Sequence, residues 1–113
     1  MRGRTVPEKQ VFIAKQRKVV DELKTEMVER LAAVFRGVHE ADGDVVAEQM
    51  AAMLLLQYVL ARRLGIPFHR LEENMLQQIR IHKQMGHPLE ADFGDWSVLE
   101  EYMMSKRSGV LKE

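Results

Sequence analysis

The sequence predicts an all-α protein: a compact four-helix bundle forming one domain over residues 1–113 and completed by dimerisation. Three observations lead there. Apolar residues recur at steps of three and four through most of the chain, and no segment keeps a period of two. Helix-breaking residues stand at Gly37, Asp42-Gly43, Gly65-Ile66-Pro67 and Gly86-His87-Pro88, dividing the chain into helical lengths. The segment Met50 to Ala61 has Gln57 as its only polar residue, so a helix there is apolar on nearly every face.

The first helix should start at Thr5-Val6-Pro7-Glu8, which has the outline of a capping box with proline tolerated in the first turn. Val20, Leu23, Met27, Leu31, Val34, Phe35 and Val38 then form one core-facing stripe. The helix either runs unbroken from about Val6 to Arg36 or bends near Ala14 to Lys18, where that stripe is weakest.

Asp42 or Asp44 caps the second helix. It continues through Val45, Val46, Met50, Met53, Leu54, Val59 and Leu60 to Leu64, with Gly65 as its stop and Arg62-Arg63 in the last turn, where positive charge suits the macrodipole. An apolar helix of this kind must be surrounded by protein, and self-association supplies what three short companions leave uncovered. Pro67 opens a third helix with Phe68, Leu71, Met75 and Ile79 on one face, ending near Gln84. The short link before it favours a sharp reversal. Asp95 caps a fourth helix bearing Trp96, Leu99, Tyr102 and Met103, which passes into a polar tail from about Ser105 to Glu113.

Composition narrows the function classes. A chain of 113 residues buries about 65% of the surface it exposes when unfolded, enough for one core and too little for separate cofactor and substrate domains. The absence of cysteine excludes disulfides, thiolate metal sites and thiol nucleophiles, and it fits a reducing, cytoplasmic setting. Lys+Arg and Asp+Glu number 17 each, which argues against a nucleic-acid binder. The charge alternates along the chain, net positive over residues 1–18, 62–85 and 102–113 and net negative over 19–61 and 86–101, a pattern of solvated, mutually complementary helix faces. No export signal follows the basic N-terminus. The apolar segment falls short of the roughly 20 residues a membrane span needs, so no membrane partner is expected.

The chemistry sits in one acidic pattern. Glu26-Met27-Val28-Glu29 sets two carboxylates three residues apart on one helix face, and after 18 intervening residues comes Glu48-Gln49-Met50-Ala51. Two such motifs on facing helices suit magnesium, a hard cation that takes carboxylate oxygens and bridges to phosphates. The fourth carboxylate is missing here, because Ala51 occupies its place. If the first two helices pack antiparallel through a turn at about Val38 to Gly43, Ala51 stands at the level of Glu29. The plain structural reading of Glu26, Glu29 and Glu48 is exposed helix positions with Lys24 and Arg30 nearby for charge balance.

This spacing resembles the metal motif of the MazG group of nucleoside triphosphate pyrophosphohydrolases, Glu-x-x-Glu followed after a gap by Glu-x-x-Asp, with three of its four positions matched. The chain is still more similar to the short MazG-like proteins of Gram-positive bacteria. That likeness is carried by Leu23-Lys24-Thr25-Glu26, Arg62-Arg63-Leu64-Gly65-Ile66, Phe68-His69-Arg70-Leu71 and Gly94-Asp95-Trp96-Ser97, in that order, and spans roughly Lys15 to Tyr102. The resemblance implies a helical homodimer related to magnesium-dependent hydrolases that cleave a nucleoside triphosphate between its α and β phosphates. Glu26, Glu29 and Glu48 are then the metal ligands of an incomplete site, with weak or lost activity. The alternative is a non-catalytic, homo-oligomeric interaction module. Asp44, one turn before Glu48, and Glu90, Asp92 and Asp95 of a neighbouring subunit are the acids able to fill the gap.

Other candidates are weaker. His39, His69, His82 and His87 include no pair at the i, i+4 spacing of a helical metal site. Arg70, Arg80 and Lys83 offer a phosphate-binding edge on the third helix, although solvated charges are the simpler account. Met50, Met53, Met75, Met103 and Met104 read as core filler. Trp96 reads as an anchor of its helix to the core rather than a platform for a base.

Overall fold

A computed structural model describes residues 8–108, and all regular structure among them is helical. Five helices follow one another: α1 (Glu8–His39), α2 (Gly43–Arg63), α3 (Phe68–Gln84), α4 (Pro88–Phe93) and α5 (Asp95–Ser108). The all-α expectation holds, with five helices in place of four. Thr5, Val6 and Pro7 of the expected capping box lie outside the described residues, as does the tail beyond Ser108.

The chain divides into two compact units, one ending at Ile66 and one beginning at Pro67. The first is a hairpin of α1 and α2. From Glu8 to Arg36 no glycine or proline interrupts α1, and it runs without a break past Ala14 to Lys18. Its C-terminal turn closes with the Asp42 amide donating to the Gly37 carbonyl at 2.9 Å and the Ala41 amide to Val38 at 3.1 Å. Asp42 then caps α2, its Oδ1 accepting from the Val45 amide at 3.2 Å.

The two helices meet along a seam. On α1 its residues are Gln16, Val20, Leu23, Met27, Arg30, Val34 and Gly37; on α2 they are Val46, Gln49, Met53, Leu56, Leu60 and Arg63. All of these are buried or half-buried, and they recur in alternating steps of three and four, the 3.5-residue repeat of a coiled coil. Hydrogen bonds fix the register: Arg30 Nη1 donates to Gln49 Oε1 at 3.1 Å, and Gln16 Nε2 donates to the Arg63 carbonyl.

Two expectations are corrected in this unit. Leu31, Phe35 and Val38 lie on the α1 surface instead of the core-facing stripe, because Arg30 and Gly37 take the seam positions beside them. The apolar α2 is not surrounded by protein within one chain: Ala61 is its one buried residue, and Met50, Leu54, Leu55 and Val59 are exposed. A two-helix hairpin covers one stripe of each helix and leaves the other faces bare. By length and composition α2 also meets the threshold for crossing a membrane, with a mean hydropathy of 1.3 in its best window.

In the second unit α3 packs against α5 around Leu76, Ile79 and Met103, where Leu76 is 2% and Ile79 3% exposed. Met75 and Trp96 pack against this cluster, as expected of a core methionine and an anchoring tryptophan. The unexpected α4 begins with Pro88 in its first turn. His87 Nδ1 accepts from the Leu89 amide at 3.1 Å, and Gly94 closes the helix at a φ of 70°. Helix α5 continues to Ser108, past the Ser105 at which a polar tail was expected.

Candidate metal centre

Glu26, Glu29 and Glu48 each stand one residue before a seam position: before Met27, Arg30 and Gln49. In an antiparallel pair, positions just before the seam fall on the same flank of both helices, so the three glutamates share a flank. The residues just after seam positions fall on the opposite flank. There Val28, Leu31, Phe35 and Val38 of α1 and Met50 and Leu54 of α2 are exposed apolar residues, with Val28 67%, Phe35 63% and Leu54 52% exposed, while Leu55 and Val59, which precede seam positions, are exposed on the glutamate flank.

Sharing a flank does not make the glutamates converge. At about 100° per residue, Glu29 and Glu48 point about 130° away from the seam direction of their own helices. Both are exposed, while Glu26, nearer the seam, is half-buried. Ala51 is two residues from both Gln49 and Met53, on the outermost line of α2, and is exposed. The Arg30–Gln49 register puts it within a residue of the level of Glu29, as expected. An aspartate there would point away from α1. Among the described residues, no three His, Asp or Glu side chains are grouped so as to hold a metal ion.

Glu26 has a cation already. Arg30 Nη2 donates to Glu26 Oε2 at 3.3 Å, one helical turn away, while Nη1 reaches Gln49 across the hairpin. Arg30 Nε is buried without a hydrogen-bond partner. A shallow groove along α1 from Ala14 to Arg30 is lined by Glu22, Glu26 and Glu29 and also by Arg17 and Lys18, so it presents charge of both signs. The donor set within one chain therefore does not fit a magnesium ion: one carboxylate is engaged, two diverge and the fourth is absent. Arg30 and Gln49 are the residues that sequence reasoning missed. Their signal was positional, a polar residue falling at steps of three and four between Met27 and Val34 or between Val46 and Met53.

The remaining candidates resolve into structural roles. Glu100 of α5 accepts from Lys83 Nζ at 2.8 Å and from Arg80 Nε at 2.9 Å, which turns two members of the supposed phosphate-binding edge into ion-pair partners. These contacts, from Lys83 first and Arg80 second, hold the Glu100 carboxyl below its ordinary range, and Glu100 in turn raises the Lys83 ammonium. Glu90 of α4 accepts from the Ser97 amide at 2.9 Å and from the Ser97 hydroxyl, tying α4 to the first turn of α5. The hydroxyl contact is the main cause that lowers the Glu90 carboxyl. His82 stacks on Trp96 at 4.5 Å, and His87 meets both rings edge-on. Of the methionines, Met103 is buried, Met53 and Met75 are half-buried, and Met50 and Met104 are exposed.

Comparison with known proteins agrees with the sequence motifs. The model of the MazG-like family matches residues 13–96. No curated protein and no solved structure matches the chain.

Proposed function

The chain belongs to the MazG-like family, and from that premise we propose that it is a homo-oligomeric helical protein related to magnesium-dependent nucleoside triphosphate pyrophosphohydrolases, with an incomplete metal site and weak or lost hydrolytic activity. Glu26, Glu29 and Glu48 are what this chain keeps of the family's metal motif, and within one chain they do not converge on an ion. The observation that carries the reading is a hairpin whose exposed apolar residues have no cover in one chain, beside glutamates that share a flank without converging.

The apolar flank favours assembly as the retained property, up to a purely non-catalytic interaction module. It is formed by Val28, Leu31, Phe35 and Val38 on α1 and by Met50 and Leu54 on α2, and exposed apolar residues grouped in this way mark an interface. A second copy offers the same surface and can close a two-fold contact with it. A bilayer fits less well, because α2 is paired along its length with α1, whose other faces carry charge.

One set of samples tests both halves. Wild type and the double variant Phe35→Ser, Leu54→Ser are compared by sedimentation at micromolar concentration, and the same samples are assayed for pyrophosphate release from nucleoside triphosphates with magnesium. The expected result is a dimeric or larger wild type, a monomeric variant, and release at background in both. A monomeric wild type would overturn the assembly. Turnover of about 1 s⁻¹ or faster that disappears in Glu29→Gln would overturn the loss of activity.

A further inference from the structure

Arg30 is out of place for a seam residue. Steps of three and four along α1 put it between Met27 and Val34, where the pairing of two helices calls for an apolar side chain. We infer that its guanidinium is the resident cation of the acidic flank, holding Glu26 where a divalent metal would otherwise bind and so keeping such metals off that carboxylate. The inference rests on the reading of Glu26 and Glu29 as the first half of the family's metal motif.

The geometry gives the guanidinium a metal's connectivity. It contacts Glu26 Oε2 on its own helix at 3.3 Å and Gln49 Oε1 on the facing helix at 3.1 Å, so one cation joins an oxygen from each half of the motif region. The second of those oxygens is a neutral amide, on the residue directly after Glu48. A single positive charge shared between one carboxylate and one amide neutralises Glu26, the carboxylate nearest the seam.

The guanidinium is also anchored. Its Nε is buried and unpartnered while the side chain as a whole is 39% exposed, so the base of the guanidinium sits among the seam side chains and its terminal nitrogens reach Glu26 and Gln49 at the surface of the hairpin. A divalent ion approaching Glu26 must therefore displace the guanidinium or sit beside a like charge, which disfavours its binding there.

Manganese is the probe, because its paramagnetism broadens the resonances of nearby groups. The full chain is titrated with Mn²⁺ as wild type, as Arg30→Leu, and as Arg30→Leu with Glu26→Gln. Leucine suits a seam position, so the hairpin is expected to stay folded, and Arg30→Met serves as a second apolar replacement. In wild type, millimolar Mn²⁺ should leave the amide signals around Glu26 unbroadened. Arg30→Leu should acquire saturable broadening centred on Glu26 and Glu29, with affinity at least about tenfold above wild type, and Glu26→Gln should abolish it. Equal binding by wild type and Arg30→Leu, or binding by neither, would overturn the inference. Either outcome leaves the assembly and turnover of the proposed function to be decided by their own measurements.

Discussion

A Cβ placed on Gly37 of α1 would stand 2.9 Å from Cγ2 of Val46 in α2, and 3.5 Å from the Val46 backbone nitrogen behind it. The hairpin is joined there by a contact with room for a hydrogen and nothing larger. Alanine is the better helix former by about 1 kcal/mol, yet overpacking costs roughly 1–3 kcal/mol. Val46 is β-branched and stiff in a helix, so it cannot turn its methyl aside cheaply.

Gly37→Ala is therefore expected to destabilise the protein by about 1 kcal/mol net. Val46→Ala removes the obstructing methyl, so the double variant should be more stable than the two single losses added together. Urea unfolding of the four chains measures that coupling. Additive losses would show that the contact is looser than its geometry.

The turn that follows holds a second, opposite opportunity. Ala41 has a φ of 57°, the left-handed conformation that closes α1, whereas Gly65, Gly86 and Gly94 supply the positive φ elsewhere in the chain. A side chain in that conformation costs about 1–2 kcal/mol, and part of the gain from glycine is lost to its freer unfolded state. Ala41→Gly should raise stability by about 0.5–1 kcal/mol, read as a higher urea midpoint at unchanged slope.

These positions show what the sequence made legible. Asp42 was readable as one of two candidate caps of α2, beside Asp44, because capping chemistry is local, and the all-α class because the three-and-four spacing persists over long segments. The left-handed closure fell on Ala41 rather than on a glycine, which no propensity signals. The six residues of α4 are too few to show a period. Leu31, Phe35 and Val38 looked like core because apolar periodicity does not tell a seam from the surface beside it; the polar residues in the seam, Gln16, Arg30, Gln49 and Arg63, carried that information. The same limit applied to the acids. Spacing places Glu26, Glu29 and Glu48 on one flank, but their directions depend on which neighbouring residues enter the seam, and that is a property of the paired helices.

The second unit should lose stability in acid through two carboxylates. Lys83, and after it Arg80, hold Glu100 below the usual carboxylate range by hydrogen bonding, and the Ser97 hydroxyl does the same for Glu90. A carboxyl whose folded value is depressed contributes stability that is fully present above its unfolded value of about 4.3, and that is lost as pH falls through the folded value. Lys83 behaves in the opposite sense: its raised ammonium contributes below the ordinary lysine value, and the contribution is lost as pH climbs through the raised one. Thermal unfolding followed from neutral pH down to about pH 3 should thus show a falling midpoint in wild type. Glu100→Gln and Glu90→Gln should be less stable at neutral pH and should flatten the acid slope, because each has removed a group that titrates. Since both carboxylates are solvent-accessible, salt should weaken the Glu100 pairing with Lys83 and Arg80 more than the hydrogen bonds that Ser97 donates to Glu90. An acid slope in Glu100→Gln identical to that of wild type would show that the ion pair joining α3 to α5 adds nothing to the fold.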